Sequence, residues 1–363
     1  MLATDNFASR YCISSHKDDM LYEADVNHAD VNSFFTTEGK NVGENIKVCG
    51  PVTIKRNISK NYEQVAKEFI AEVKMFGGRK HPNILSLFGF CLEGYEMILI
   101  FESCALYKSL ADHLGSISEK TNLMQRIRIC IDIAQGLDYF HENMDADGTV
   151  KIHQGMLSTN VLLDEKWNAK IATFRLYPEY IKPPRETEIY SFGVVIFEIL
   201  CGRLAYDPYN TRENSMELVR ITQSCFEEGT FQSMVDPNIM EEVREDSYMI
   251  APFRRSLNAL KRIAYRCLFE YSIILPLTLK HIINSLNRAL RFQEATMNLI
   301  KKLTDKKSLF QNILATAIVE GETSEPIRSI KVMSELEGKN KDGSGDRGSK
   351  KRNISGALKK THC

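Results

Sequence analysis

The 363-residue sequence predicts an α+β fold in which strands and helices are segregated along the chain. Three observations predict it. Up to residue 102, apolar residues come in short runs rich in β-branched and aromatic side chains, interrupted by one helical repeat at Glu63–Phe76. Beyond residue 110 long helical patterns take over, led by Leu123–Glu142, whose apolar residues recur at i+3 and i+4, and Glu186–Cys201, which is apolar nearly all round. Between those two helices, Lys151–Leu176 reads as a turn, a strand at Val161–Leu163, a tight polar connection at Asp164–Asn168 and a second strand at Lys170–Ala172.

Taken in order, the stretch ISSHKDDMLYEADV reads as a β-hairpin with an acidic turn, and residues 27–45 as a polar insertion. Val48–Lys55 is a strand with a break at Gly50-Pro51. Val65, Phe69, Val73 and Phe76 mark the apolar face of the helix that follows, and Gly77-Gly78 ends it. Tyr95–Glu102 is a β-rich apolar run. Leu110–Leu114 opens the helical part, and Leu123, Ile127, Ile131, Ala134 and Leu137 form the stripe of the long helix after it. Glu186–Cys201 is apolar nearly all round, as a buried helix should be, and Gly202 closes it. Further helices are expected at Met216–Glu228, Arg255–Glu270, Leu277–Phe292 and Met297–Ile318. Glu335–Lys360 is poor in apolar residues and rich in Gly, Ser and charge, which predicts disorder and makes its RGSKKR patch a solvated tail.

Composition narrows the function classes. Forty-seven basic residues balance forty-seven acidic ones, so no nucleic acid or other polyanion is an expected partner. The nine cysteines are scattered, with no C-x-x-C, and read as small buried thiols in a reducing compartment. MLATDNFASR lacks the apolar core of a signal peptide, and no apolar run approaches the ~20 residues of a membrane span. The terminal KKTHC is not a prenylation box, because its cysteine is last. A cytoplasmic protein is expected, reaching the plasma membrane only by recruitment through a partner.

Several motifs in order carry a resemblance. Thr4-Asp5-Asn6-Phe7 is like a T-x-N-F opening. Val52-Thr53-Ile54-Lys55 resembles V-A-I-K, and Glu72 follows seventeen positions on, inside a helix. Glu68–Val73 and His81–Cys91 match E-F-x-x-E-V and H-P-N-I-L-x-L-x-G-F-C. Lys151–Leu176 matches a catalytic loop and metal-binding segment, and ETEIYSFGVVIFEILC resembles S-D-V-Y-S-F-G-V-V-L-x-E-I-L-x-G. Over roughly residues 4–296 the chain resembles the plant receptor-like protein kinases. The resemblance implies a bilobal protein-kinase-like fold: residues 1–102 an N-lobe of small antiparallel sheet plus one helix, residues 103–296 a larger, mainly helical C-lobe, and residues 297–363 a C-terminal helix and tail. It implies that Lys55 pairs with Glu72 and holds the α/β-phosphates of ATP. It places Leu21 and Leu162 either side of the purine, Thr53 where alanine is usual, Phe101 at the gatekeeper position, Glu102 at the interlobe hinge, and Asn160 in the catalytic loop. It also sets His153, Phe174 and Phe76 in an apolar column between the lobes.

The chemistry-bearing positions depart from the pattern. Gln154-Gly155 stands for Arg-Asp, Leu157 for the phosphate-contacting lysine, and Thr173-Phe174-Arg175 for Asp-Phe-Gly. The glycines of the phosphate loop become Ser14, His16 and Asp19, and Asp18 and Asp19 would repel an anion. Leu176 runs straight into Tyr177-Pro178-Glu179-Tyr180, so nearly the whole activation segment is missing. Glu188 replaces the aspartate that clasps the catalytic loop, and Leu275 the arginine partner of Glu179. Gly155 has no side chain to act as base, and Thr173 is a poor magnesium ligand. The expectation is ATP binding that is weak or nil, no Mg²⁺ site, and a pseudokinase that docks on other protein kinases or receptor complexes. The alternatives are an atypical ATP-dependent Ser/Thr kinase working through Lys55, Glu72 and Asn160, and the product of a decaying gene copy.

Overall fold

The structure is a computed structural model that describes residues 4–15, 19–26, 50–58, 62–77, 80–104, 108–114, 121–142, 156–172, 185–205, 216–241, 250–269 and 277–319. Residues 1–296 form one compact unit and residues 297–363 a second.

The first unit opens with a five-stranded antiparallel sheet: β1 (Cys12–Ser15), β2 (Asp19–Val26), β3 (Gly50–Asn57), β4 (Leu87–Glu93) and β5 (Glu96–Glu102), in spatial order β1-β2-β3-β5-β4. Helix α1 (Tyr62–Phe76) follows β3. The sheet's two faces divide by the two-residue period of a strand. Tyr22, Ala24, Val26, Val52, Ile54 and Ile98 make a small core on one face, together with Phe7. Leu99 and Phe101 belong instead to the main core, with Val65, Phe69 and Phe76 of α1. The T-x-N-F opening acquires a role here. Thr4 is fully buried and its hydroxyl accepts the Phe7 amide at 3.1 Å, closing a left-handed turn with φ of 46°, 56° and 62° at Asp5, Asn6 and Phe7. Each such residue costs roughly 1 kcal/mol. The turn delivers the Phe7 ring to Tyr22, at 5.2 Å, and beneath the Arg56 guanidinium, at 4.4 Å.

A second, three-stranded antiparallel sheet comprises β6 (Lys108–Ser109), β7 (Val161–Leu163) and β8 (Ala169–Ile171). The β7–β8 connection is tight because Asp164 folds it. Its Oδ1 accepts the Lys166 and Asn168 amides, each at 2.8 Å, and its Oδ2 the Asn168 side-chain amide. The segment His81–Leu85 ties the two sheets together. The Leu85 amide donates to Ile171 O and the Ile171 amide to Asn83 O, both at 2.9 Å, while Asn83 Nδ2 donates to Ala169 O at 3.1 Å. The helix Leu123–Glu142 (α3) can lie against this joint because residue 136 is glycine: a Cβ there would stand 2.9 Å from Asn83 O and 2.8 Å from Ile171 Cδ1.

Among the described residues, the helices after α1 are α2 (Leu110–Leu114), α3 (Leu123–Glu142), α4 (Arg185–Cys201), α5 (Met216–Glu227), α6 (Pro237–Glu241), α7 (Ile250–Phe269) and α8 (Leu279–Val319). The core runs through α3, α4 and α7, with Phe140, Phe192, Phe197 and Phe253 at most 2% exposed. Phe76 packs edge-on to Phe101 and Phe140, with centroids 6.2 and 5.7 Å away, so an aromatic column joins the lobes. Its expected further members, His153 and Phe174, lie outside the described residues. Two helices expected at 277–292 and 297–318 are one helix of 41 residues. The predicted disorder at 335–360 and the polar insertion at 27–45 also fall outside the described residues.

Helices α4 and α7 approach closely at Gly193. A Cβ there would meet Cys267 Cβ at 2.7 Å and Leu268 Cδ2 at 3.1 Å. Gly193→Ala is therefore expected to lower stability by about 1–3 kcal/mol through overpacking, net of the helix propensity that alanine gains. Urea unfolding checks it. An unchanged or raised midpoint would mean that the two helices can separate without loss.

Candidate functional site

The candidate site lies on the face of the five-stranded sheet opposite Phe7. The period of β2 turns Asp19, Leu21 and Glu23 to this face, and their register partners on β3 are Asn57, Lys55 and Thr53. Leu99 and Phe101 of β5 stand across from Lys55 and Thr53. The site therefore has apolar walls and three acidic or basic groups from two adjacent strands.

Lys55 and Glu72 meet as expected. Lys55 Nζ lies 2.9 Å from Glu72 Oε2 and 3.3 Å from Oε1, with side chains 8% and 4% exposed. The helical period explains the reach: Glu72 lies three positions beyond buried Phe69 and four before buried Phe76, on the face of α1 that meets the sheet. A third charge joins them. Asp19 Oδ2 is 3.8 Å from Lys55 Nζ, and Asn57 Nδ2 holds the other oxygen, Oδ1, at 2.9 Å. Burial on its own would depress the Lys55 pKa, but Glu72, Asp19 and, more weakly, Glu68 outweigh it and hold the ammonium above its usual range.

At the hinge end, Thr53 is fully buried and its hydroxyl is a relay. It donates to Glu23 Oε2 at 3.0 Å and accepts from the Cys104 amide at 2.9 Å and the Cys104 thiol at 3.1 Å. Ser103 donates its hydroxyl to the other oxygen of Glu23. Burial pushes the Cys104 thiol up to about 11, against the lowering effect of the Thr53 contact. The Glu102 side chain turns towards the C-lobe: its carboxylate accepts from Lys170 Nζ at 2.8 and 2.9 Å and from the Ser86 amide at 2.8 Å.

Leu21 and Leu162 are buried, on β2 and β7, and Leu162 lies opposite Lys170. Asn160 ends a short 3₁₀ turn, Ser158–Asn160, and is fully buried. Its carbonyl accepts the Ala172 amide at 2.8 Å, which sets it beside the chain leading to Thr173. Gly155 and Thr173 themselves lie outside the described residues, as do Gln154, Arg175, Glu179 and Leu275. Behind Asn160, Ser158 Oγ donates to Glu198 of α4, and Glu188 of α4 meets His141 Nε2 at the end of α3, a contact the sequence did not suggest. Among the described residues, no group of three or more His, Cys, Asp or Glu could hold a metal ion.

Sequence reasoning missed Glu23, Ser103, Cys104 and Asn57. The signal for Glu23 was its two-residue offset from Leu21. Ser103 and Cys104 are eighty or so positions along the chain from β2, and no local pattern joins them to it.

Residues 32–183 match the family model described as protein tyrosine and serine/threonine kinase. The chain is also similar to receptor-like protein kinases of Arabidopsis thaliana. It is 31% identical to FERONIA over 271 residues, 67% of this chain and 28% of that protein. It is 31% identical to ANXUR2 over 270 residues, covering 67% and 30%, and 31% identical to HERK 1 over 274 residues, covering 68% and 31%. The chain belongs to the plant receptor-like protein kinase family. It spans about a third of the length of the relatives it matches. The fold is that of a bilobal kinase domain, with an antiparallel N-lobe sheet and a helical C-lobe. Among the described residues of this receptor-like kinase homologue, no helix is long and apolar enough to cross a membrane.

Proposed function

We propose that this kinase domain is catalytically impaired and acts as a signalling scaffold, docking on active kinases or receptor complexes of receptor-like kinase signalling. The observation that carries the reading is Gly155, which stands at the catalytic-base position without a side chain. Thr173 at the metal-binding position and the direct passage from Leu176 to Tyr177-Pro178-Glu179-Tyr180 add to it. Phosphoryl transfer needs a base, metal ions bridging the phosphates and a positioned acceptor. All three requirements are touched at once. Magnesium is not expected to bind, and ATP weakly if at all. A domain kept as a shape retains its core, and the aromatic column and buried helix α4 fit that role.

A second reading, an atypical Ser/Thr kinase, draws on the intact Lys55–Glu72 pair. Incubating the purified protein with radiolabelled ATP and a generic protein substrate separates the two. No incorporation is expected. Incorporation that vanishes in Lys55→Ala would overturn the scaffold reading and establish the second.

A further inference from the structure

A third charged group faces the Lys55–Glu72 pair, and it comes from the first residue of β2, next to the stretch that aligns with the phosphate loop. Asp19 begins β2, directly opposite Asn57, which ends β3. That register brings its carboxylate under the same sheet face as Lys55, 3.8 Å from the ammonium, and Asn57 Nδ2 anchors it at 2.9 Å. The Asp19 side chain is 18% exposed and Lys55 8%, so the contact is largely out of water. Glu23, the other carboxylate on this face of β2, is engaged by the hydroxyls of Thr53 and Ser103 at the opposite end. One strand thus presents one carboxylate to an ammonium and another to two hydroxyls, with Leu21 between them.

We infer that Asp19 is a built-in phosphate surrogate: it supplies to Lys55 the anion a nucleotide would bring, and keeps helix α1 docked through Glu72 with no nucleotide bound. The chemistry fits. A buried ammonium facing one carboxylate is electrically balanced and can still attract an anion. Facing two, it belongs to a trio whose charges sum to minus one, and an incoming phosphate must compete with a carboxylate that is already hydrogen-bonded. Displacing it would also break the Asn57 Nδ2 hydrogen bond to Asp19 Oδ1. The arrangement rests on the reading of this cleft as a poor nucleotide site and supplies its physical cause. It adds that this part of the cause is reversible: the lysine is present, paired to Glu72 of α1, and Asp19 beside it can be replaced.

The test is calorimetric titration of the whole chain with inorganic tripolyphosphate, which has no purine, and with ATP, both without divalent metal. Wild type, Asp19→Asn and Asp19→Gly are compared. Asp19→Asn keeps an oxygen for Asn57 while removing the charge, so it decides the question should Asp19→Gly fail to fold. Removing the charge is expected to tighten tripolyphosphate binding at least about tenfold, and Lys55→Met in the Asp19→Asn background should abolish the gain. Affinity of both variants within about twofold of wild type would overturn the surrogate, as would a gain that survives loss of Lys55. Tight ATP binding by wild type is a different failure. It sinks the weak-nucleotide reading, whereas the surrogate is judged only by the ratio of variant to wild type.

Discussion

Lys55→Met is expected to lower the stability of the folded chain by about 3–5 kcal/mol, the cost of leaving a buried charge without its partner. The methionine fills the space of the lysine stem but abandons Glu72, whose side chain is 4% exposed, and leaves Asp19 facing it. Two carboxylates then share a pocket with apolar walls. Urea unfolding at pH 7 reads the loss. Lys55→Met with Glu72→Leu should recover most of it, because replacing both members of a buried pair by apolar groups is close to neutral. A loss below about 1 kcal/mol in the single variant would mean that water reaches Glu72 and screens it. The pH dependence has a definite sign. The Lys55 pKa is held above its usual value by Glu72, Asp19 and Glu68 despite burial. Its contribution is therefore fully present below the unfolded lysine pKa and is lost as pH rises through the folded one, so the wild-type advantage is flat across neutral pH and shrinks only in strong alkali.

Arg126→Met should cost a similar amount, about 3–5 kcal/mol, for a different part of the fold. Arg126 lies near the start of α3, and its guanidinium donates to Ile199 O of α4, to Thr121 O, and to the carboxylate of Asp236, with both charged side chains less than 10% exposed. Asp236 is itself committed: its other oxygen accepts the Asn238 amide at 2.9 Å and caps α6. The same carboxylate packs against Gly202, whose φ of +64° ends α4 and where a Cβ would stand 2.4 Å from Asp236 Oδ2. Loss of the arginine thus exposes an uncompensated charge at the meeting of three helices. Arg126→Lys should not restore stability, because one ammonium cannot serve two carbonyls and a carboxylate in a planar fork. Thermal and urea midpoints check both variants. Full rescue by lysine would show that the charge matters and the fork does not.

Much of this fold was legible because it rests on local periods. The helix over Leu123–Glu142 is found with the bounds its stripe predicts, and α1, α4 and α5 differ from expectation by one residue at an end. The division of α8 into two helices was an error of emphasis. No Gly or Pro occurs between residues 277 and 319, so nothing in the chain itself asked for a break near 293–296. Gly50-Pro51, read as a break within a strand over Val48–Lys55, lies at the start of β3 as described, where a proline without an amide is tolerated; Val48 and Cys49 lie outside the described residues. The site was legible where charge and spacing coincide, as with Lys55 and Glu72. Asp19 was read as hostile to phosphate, but its seat beside Lys55 was not foreseen, because it depends on strand register, which brings together residues 36 positions apart. The Glu23–Thr53–Cys104 relay was not legible, because each bond in it links segments that only the folded sheet makes neighbours.

The cysteines give the molecule an internal clock. Burial pushes the thiols of Cys104 and Cys201 up to about 11 and that of Cys267 to about 12, and raises Cys130, fully buried on α3, further still. At neutral pH these four sulfurs are neither ionised nor accessible in the folded chain, and thiolate is the species that reacts. Unfolding returns each to an ordinary solvent-exposed thiol. Because they sit at the hinge, on α3, at the end of α4 and on α7, the order in which an alkylating reagent reaches them, resolved by mass, would show which layer of the domain opens first.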